Sequence, residues 1–155
     1  MLLVAALTPA RANIGDSLTE LRQHYGSAKT MGSQMLFEVR IKDGQILPAR
    51  DSADKDTHFS ITVLFDGAYS GMEIFTRNTS DPAKANMTPQ DISAILSALG
   101  GNIPWTATPT PSGKQTWLWG DDKNKPPKLM ARFDPAKSAN PDDASVLVIQ
   151  EYTEK

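Results

Sequence analysis

An alternation of apolar and polar residues that ends in an Asp-Gly pair limits the fold of this chain more than any other feature. The apolar positions are Phe59, Ile61, Val63 and Phe65, and the pair is Asp66-Gly67. A two-residue period is typical of a strand with one buried face, and Asp-Gly is favoured in two-residue hairpin turns. The sequence therefore predicts a β-hairpin at the centre of the chain.

The predicted turn also determines which residues of the two strands face each other. A two-residue turn at Asp66-Gly67 brings Ile61 opposite Met72, so the apolar residues of both strands share one face. In the same register, Ser60 and Glu73 share the other face. We therefore expect Glu73 to lie outside the apolar face of the hairpin.

Two segments of the chain carry the signals of a helix start. Ser17 and Thr88 each precede an acidic residue by three positions, at Glu20 and Asp91, which is the spacing of a capping box. Apolar residues then recur on one face of each segment, and a glycine follows the last of them. The sequence therefore predicts two short amphipathic helices.

Further strands are predicted between and after the helices. They cover Met35 to Ile41, Ile46 to Leu47, Thr116 to Trp119, Lys128 to Phe133 and Val146 to Tyr152. This order indicates an α+β fold, with an antiparallel sheet of about five to seven strands and both helices on one face. The repeated order of a helix and a meander suggests a duplicated unit, which the residues themselves do not establish.

The first twelve residues differ in kind from the rest of the chain. An apolar run from Leu2 to Leu7 leads to Ala10-Arg11-Ala12, whose small first and third residues fit a signal-peptidase site. We interpret residues 1–12 as a truncated signal-peptide-like segment and residues 13–155 as a single α+β domain; an ordinary buried N-terminal segment is the alternative. The run is too short to span a bilayer. We therefore expect an exported protein, periplasmic or extracellular, without an integral membrane segment in its mature chain.

Composition argues against several classes of function. The 16 basic and 18 acidic residues are scattered without a basic stripe, so nucleic acid is not an expected partner. The chain has no cysteine, which excludes disulfides, thiolate metal sites and a cysteine nucleophile. Neither His24 nor His58 stands at a metal-ligand spacing, so we predict no metal and no cofactor.

The segment Gly15-Asp16-Ser17-Leu18 resembles the nucleophile block of the GDSL hydrolases, in which the serine is the nucleophile. The resemblance implies a serine esterase that uses Ser17. A serine nucleophile needs a general base, and the late Asp-x-x-His block of that family has no counterpart, because no histidine follows His58. The capping box accounts for Ser17 without catalysis. We therefore predict no catalytic residue and keep the esterase as an alternative.

Three tryptophans are the candidate ligand-binding residues. Trp117 and Trp119 stand two positions apart on a predicted strand and point to the same face, and Trp105 follows the second helix. Aromatic side chains placed in this way stack on a sugar ring or anchor a protein partner, and they also fill hydrophobic cores. We expect all three to pack in the core, with ligand binding as the alternative role.

Larger parts of the chain resemble exported bacterial proteins. Gly15 to Gly26, the hairpin at Asp66-Gly67, and Thr88 to Trp105 together look like a group of small exported proteins of unknown function. The opening helix with its Tyr25-Gly26 stop is also similar to the SmpA/OmlA outer-membrane assembly lipoproteins, whose fold sets helices against a small antiparallel sheet. This chain lacks the lipobox cysteine of that family, and neither resemblance supplies a catalytic residue.

These observations lead to one main hypothesis and two alternatives. The main hypothesis is an exported, non-catalytic binding module that contacts a protein or a cell-envelope component through an exposed sheet face or edge. The alternatives are the serine esterase and a structural component of an envelope assembly.

Overall fold

The computed structural model describes residues 13–49, 58–79, 81–108, 115–135 and 144–154. The predicted signal-like segment, residues 1–12, lies outside these residues. The described residues form two α-helices and one antiparallel sheet of nine strands, which confirms the predicted α+β class with more strands than expected. Among these residues, neither helix has the length and hydrophobicity needed to cross a membrane.

The elements form two consecutive halves with a similar order. The first half contains α1 (Leu18–Tyr25), β1 (Ala28–Met31), β2 (Gln34–Lys42), β3 (Gln45–Pro48), β4 (His58–Asp66) and β5 (Tyr69–Asn78). A 3-10 turn at Pro82–Lys84 precedes the second half. The second half contains α2 (Pro89–Gly100), β6 (Thr106–Thr108), β7 (Gln115–Trp119), β8 (Leu129–Asp134) and β9 (Val146–Glu151). Each half is thus a helix followed by a meander.

The sheet brings the last strands of the two halves together. Its strand order is β1-β2-β4-β5-β9-β8-β7-β6, and β3 also pairs with β2. From the central pair β5 and β9, each half therefore runs outwards from its last strand to its first. The two halves thus have a similar strand order, except that β3 has no equivalent in the second half.

Both helices begin with the predicted capping box. The Ser17 hydroxyl accepts a hydrogen bond from the Glu20 backbone N–H at 3.4 Å, and the Glu20 carboxylate accepts one from the Ser17 N–H at 2.8 Å. Thr88 and Asp91 repeat these two bonds in α2, at 3.2 and 2.8 Å. The caps satisfy backbone N–H groups that have no partner inside a helix, which explains why both helices start where the sequence predicts.

A buried serine ties the segment before each helix to the sheet. In the first half, the Ser70 hydroxyl donates a hydrogen bond to the Asn13 carbonyl oxygen and accepts one from the Asp16 N–H. In the second half, the Ser145 hydroxyl accepts a hydrogen bond from the Met87 N–H at 2.7 Å. The two halves therefore hold their helices by the same kind of contact.

The central hairpin is present, but its turn begins one residue later than predicted. Asp66 pairs with Tyr69, so the two turn residues are Gly67-Ala68 and not Asp66-Gly67. Gly67 has a φ of 64°, which glycine adopts without steric strain, and glycine in the first position is the preference of type II′ turns. The position of the glycine thus explains the position of the turn.

A β-bulge beside this turn reverses the predicted facing of β5. The later turn shifts the pairing by two residues, and the bulge between Leu64 and Phe65 shifts it by one more, so Ile61 faces Phe75 and not Met72. Val63 faces Glu73, whose side chain is fully buried, with 0% exposure. The predicted placement of Glu73 outside the apolar face is wrong, because a bulge adds one residue to one strand and turns every side chain beyond it to the other face.

The sheet and the two helices contribute to a single hydrophobic core, but the helices are not clearly packed on one face of the sheet as predicted. The sheet supplies buried residues that include Phe37, Ile61, Phe75, Leu147 and Ile149. The helices supply Leu21 and Tyr25 from α1, and Ile92, Ile95, Leu96 and Leu99 from α2. The end of α2 and the neighbouring part of the sheet bring the three tryptophans together.

Candidate functional site

The three tryptophans have different environments near the end of α2. Trp119 is buried, with 6% exposure, so for this residue the expected core position is confirmed. Trp105 and Trp117 are only partly buried against the core. Both also line a groove beside α2, which means that each has a packed side and an accessible side.

The tryptophan groove is an open cavity of about 520 Å³ between α2, the segment after it and β7. Its walls are one side of α2 between Pro89 and Ser97, residues 101–105, and Gln115 and Trp117. The volume lies within the range of small-ligand sites, about 300–1,000 Å³. The groove is therefore large enough to hold a small molecule or part of a chain molecule.

The buried tryptophan holds the wall that carries Trp105. The Trp119 indole N–H donates hydrogen bonds to the carbonyl oxygens of Gly100 at 3.3 Å and Ile103 at 3.1 Å. The rings of Trp105 and Trp119 lie 6.4 Å apart between centroids, within the usual range for aromatic pairs. These contacts fix the segment after α2 by a hydrogen-bonded and packed side chain.

The glycine at the end of α2 allows Trp105 to lie against the helix. A β carbon at Gly100 would stand 2.9 Å from Trp105 Nε1 and 3.3 Å from Trp119 Nε1. The first distance is shorter than a van der Waals contact, so a larger residue here would displace the Trp105 ring. The shape of the groove therefore depends on a glycine, two indoles and a helix end that fit together.

The described residues that line the groove have apolar, aromatic or neutral polar side chains. Ile92 and Leu96 of α2 supply apolar surface on one wall. Neutral polar groups come from the hydroxyls of Ser93 and Ser97 and the amides of Asn102 and Gln115. Such a lining binds by stacking, apolar contact and uncharged hydrogen bonds.

The other candidate from the sequence, Ser17, is engaged in the helix cap. Its hydroxyl donates a hydrogen bond to Glu20 Oε2 at 2.8 Å and accepts one from the Glu20 N–H. The nearby His24 approaches a different residue, because its Nε2 lies 3.7 Å from Asp16 Oδ2. The contacts of Ser17 are therefore those that the capping-box interpretation predicts. No group of three or more histidine or carboxylate side chains in the described ranges is placed to hold a metal ion.

A group of buried polar residues that the sequence did not predict lies in the first half. Tyr25 Oη donates a hydrogen bond to Glu73 Oε1 at 3.0 Å. The Ser70 hydroxyl bonds to the Asn13 carbonyl oxygen. We call Asn13, Tyr25, Ser70 and Glu73 the buried polar cluster, since all four are buried.

Burial keeps the acid of this cluster in its neutral form. Removal from water raises the pKa of Glu73 from 4.5 to about 8, and the negative charge of Asp16 adds to this effect. The hydrogen bond from Tyr25 acts in the opposite direction. Within the described part of the chain, Glu73 Oε2 has no hydrogen-bond partner. A neutral carboxyl that joins the end of α1 to β5 is a structural element of the core.

One residue could have indicated the true position of Glu73. Gly71 is an isolated glycine inside β5, and it is the residue left over where Phe65 pairs with Ser70 and Leu64 pairs with Met72. A lone glycine within a strand is a known sign of a bulge. Applied at Gly71, that rule turns Glu73 to the apolar face.

Comparisons of the chain with known protein families, with curated proteins and with solved structures found no match.

Proposed function

We propose that this protein is an exported binding module and that the tryptophan groove is its ligand site. The observation that carries the proposal is the pair of partly exposed indoles, Trp105 and Trp117, on the walls of a groove of about 520 Å³. Tryptophan is over-represented among the residues that dominate binding energies, because it offers a large rigid surface with a polar N–H group.

The support of the groove by Trp119 also favours a binding role. Binding is weakened when side chains or loops must become ordered on contact with the ligand. Here the hydrogen bonds from Trp119 to Gly100 and Ile103 already fix the segment that carries Trp105. A ligand therefore meets a surface that is formed in advance.

The proposed location and partner of the protein rest on its sequence. Residues 1–12 have the pattern of a signal-peptide-like segment, which favours a periplasmic or extracellular location and a protein or cell-envelope component as the partner. We place the contact in the groove and not on an open sheet face or edge, because concave aromatic surfaces are the usual form of ligand sites.

The proposal is tested by screening the full chain on one array of oligosaccharides and one array of extended peptides. Trp117→Ala removes an aromatic wall, and Tyr69→Ala is the matched control, since Tyr69 is 58% exposed and lies in the first half. We expect signals that Trp117→Ala abolishes and Tyr69→Ala retains, with both variants folded by circular dichroism. No signal on either array, or signals that Trp117→Ala retains, would contradict the proposal.

A panel of ester substrates tests the esterase alternative. Hydrolysis by the wild type that Ser17→Ala abolishes without loss of folding would establish the esterase alternative and remove the binding module as the main function. We expect no difference between the two proteins, because the Ser17 hydroxyl is engaged by Glu20.

A further inference from the structure

We infer that the ligand of the tryptophan groove is an uncharged oligosaccharide. The inference rests on the proposed function and adds the chemical class of the ligand. It follows from three properties of the groove. They are its aromatic surfaces, the spacing of its neutral polar groups, and the ion pair that already engages the nearby carboxylate of Asp91.

The first property is the combination of stacking surfaces with neutral hydrogen-bonding groups. A sugar ring has apolar C–H faces and a rim of hydroxyls that donate and accept hydrogen bonds at the same time. Trp105 and Trp117 offer indole surfaces to such a face. The amides of Asn102 and Gln115 each contain both donors and an acceptor, which matches the rim.

The second property is the spacing of hydroxyls along the opposite wall. Ser93 and Ser97 are four residues apart on α2, so they lie on the same side of the helix one turn apart, and both are exposed. That distance, about 5–6 Å between β carbons, is close to the length of one sugar unit in an extended chain. Successive units of an oligosaccharide can therefore meet one hydroxyl each.

The third property is that the acid nearest in sequence to the groove lining on α2 is already engaged. Asp91 closes the capping box through Thr88, and its carboxylate lies 3.7 Å from an Arg77 nitrogen on β5. A charged ligand would gain no counter-charge from the lining residues that the structure describes, since all of these are neutral. The neutral lining thus favours a ligand without formal charge.

A proline-rich peptide is the competing occupant, since extended prolines also stack in aromatic grooves. Its backbone carbonyl oxygens can accept hydrogen bonds, but polyproline has no hydrogen-bond donor, so the acceptor oxygens of Asn102 and Gln115 would receive no partner from it. Desolvated polar groups that stay unpaired weaken binding. The composition of the groove therefore favours the sugar.

The test is a tryptophan-fluorescence titration of the full chain with defined probes. The neutral probes are cellohexaose, maltohexaose and the hexamer of N-acetylglucosamine; the others are a hexamer of galacturonic acid and decaproline. We expect saturable binding of at least one neutral hexasaccharide. The galacturonic acid hexamer and decaproline should bind more weakly. Trp117→Ala should reduce the affinity for the neutral sugar at least about tenfold, and Ser97→Ala should reduce it roughly two- to tenfold. Tyr69→Ala should leave this affinity unchanged.

The outcomes separate this inference from the proposed function. Binding of decaproline that depends on Trp117, without binding of a neutral hexasaccharide, overturns the inference and leaves the binding module intact. Equal binding of the galacturonic acid hexamer and a neutral sugar overturns the requirement for an uncharged ligand. If none of the five probes binds, and neither array gives a binding signal, both proposals are overturned.

Discussion

The two halves of the molecule have similar elements, but different residues pack against the end of the helix in each half. In the first half, the last residue of α1, Tyr25, bonds to the buried Glu73, and Gly26 packs against Pro48, with a Cβ at Gly26 standing only 2.9 Å from the Pro48 Cβ. In the second half, the end of α2 packs against Trp105 and leaves a groove beside it. We call the first half closed, because its helix end meets the buried polar cluster, and the second half open, because its helix end borders the tryptophan groove.

Two features of the chain account for this difference. The first half contains the additional strand β3, which pairs with β2 and supplies Pro48 to the end of α1. The helix of the second half is longer, with 12 residues against 8. Helix α2 therefore adds about one helical turn to the wall of the groove. In the first half a short helix lies against an added strand, whereas in the second half a longer helix beside a pair of indoles borders a groove.

The largest expected effect concerns the closed half and is a loss of stability at high pH. The pKa of Glu73 is about 8 in the folded chain against an ordinary value of 4.5, so between these values the folded state binds one proton more than the unfolded state. The free energy of unfolding should therefore fall as pH rises, by as much as about 1.4 kcal/mol per pH unit. The contribution is complete below pH 4.5 and lost as pH rises through 8.

Urea unfolding at several pH values between 5 and 8 measures this slope. Glu73→Gln keeps an acceptor for Tyr25 but cannot ionise, so it should flatten the profile. Glu38→Gln is the matched control, because Glu38 is exposed and pairs with Lys29 at 3.6 Å on the surface. A slope that survives in Glu73→Gln would show that the buried polar cluster does not set the pH dependence.

The second prediction removes the bond that closes the first half. Tyr25→Phe leaves the buried Glu73 Oε1 without the tyrosine hydroxyl, which should reduce the free energy of unfolding by about 1–3 kcal/mol. Tyr69→Phe should change it by less than about 0.5 kcal/mol, because the Tyr69 side chain is 58% exposed. Equal effects in urea unfolding would mean that the contact between α1 and β5 is not a source of stability.

The third prediction compares the glycines at the two helix ends. Gly26 has a φ of 86° and a ψ of −150°, a region open almost only to glycine, so Gly26→Ala should reduce stability by about 1–3 kcal/mol. Gly100 is helical, so the gain in helix propensity from Gly100→Ala partly offsets its contact with Trp105. Gly100→Ala should instead displace Trp105 and shift the tryptophan emission, which Gly26→Ala should not do.

The outcome that contradicts this glycine comparison is an unchanged emission spectrum in Gly100→Ala with a stability loss as large as that of Gly26→Ala. It would show that Trp105 is not held against the helix end.

The smallest expected effect tests what the two halves share. Ser17→Ala and Thr88→Ala each remove one side of a capping box and should each reduce the free energy of unfolding by about 1 kcal/mol. Ser93→Ala, an exposed substitution inside α2, should have almost no effect on stability. If Ser17→Ala alone left stability unchanged in thermal or urea unfolding, the two helix starts would not be equivalent.

The sequence predicted the features that depend on neighbours along the chain. The caps at Ser17 and Thr88, the alternation of β2 and the existence of the central hairpin all rest on short-range signals, and all are present. The short strands β1 and β6 were missed, because three or four residues carry too little periodicity to be recognised.

The features that depend on distant contacts could not be predicted in the same way. The burial of Glu73 requires the bulge at Gly71 and the approach of Tyr25 from α1, 48 positions away. The alternation of β7 places Trp117 and Trp119 on one face, but only the end of α2 decides that Trp119 is buried while Trp117 lines the groove. Candidate binding residues could thus be named from the sequence, whereas the groove they form could not.

The most direct test of the contrast between the open and the closed half is an NMR titration with the three neutral hexasaccharides in turn. The chain has three tryptophans and therefore three indole N–H signals. We predict ligand-dependent shifts of the Trp105 and Trp117 signals, with unchanged backbone amides at Tyr25 and Glu73. Shifts concentrated at Tyr25 and Glu73, with the indoles of Trp105 and Trp117 unaffected, would contradict the account.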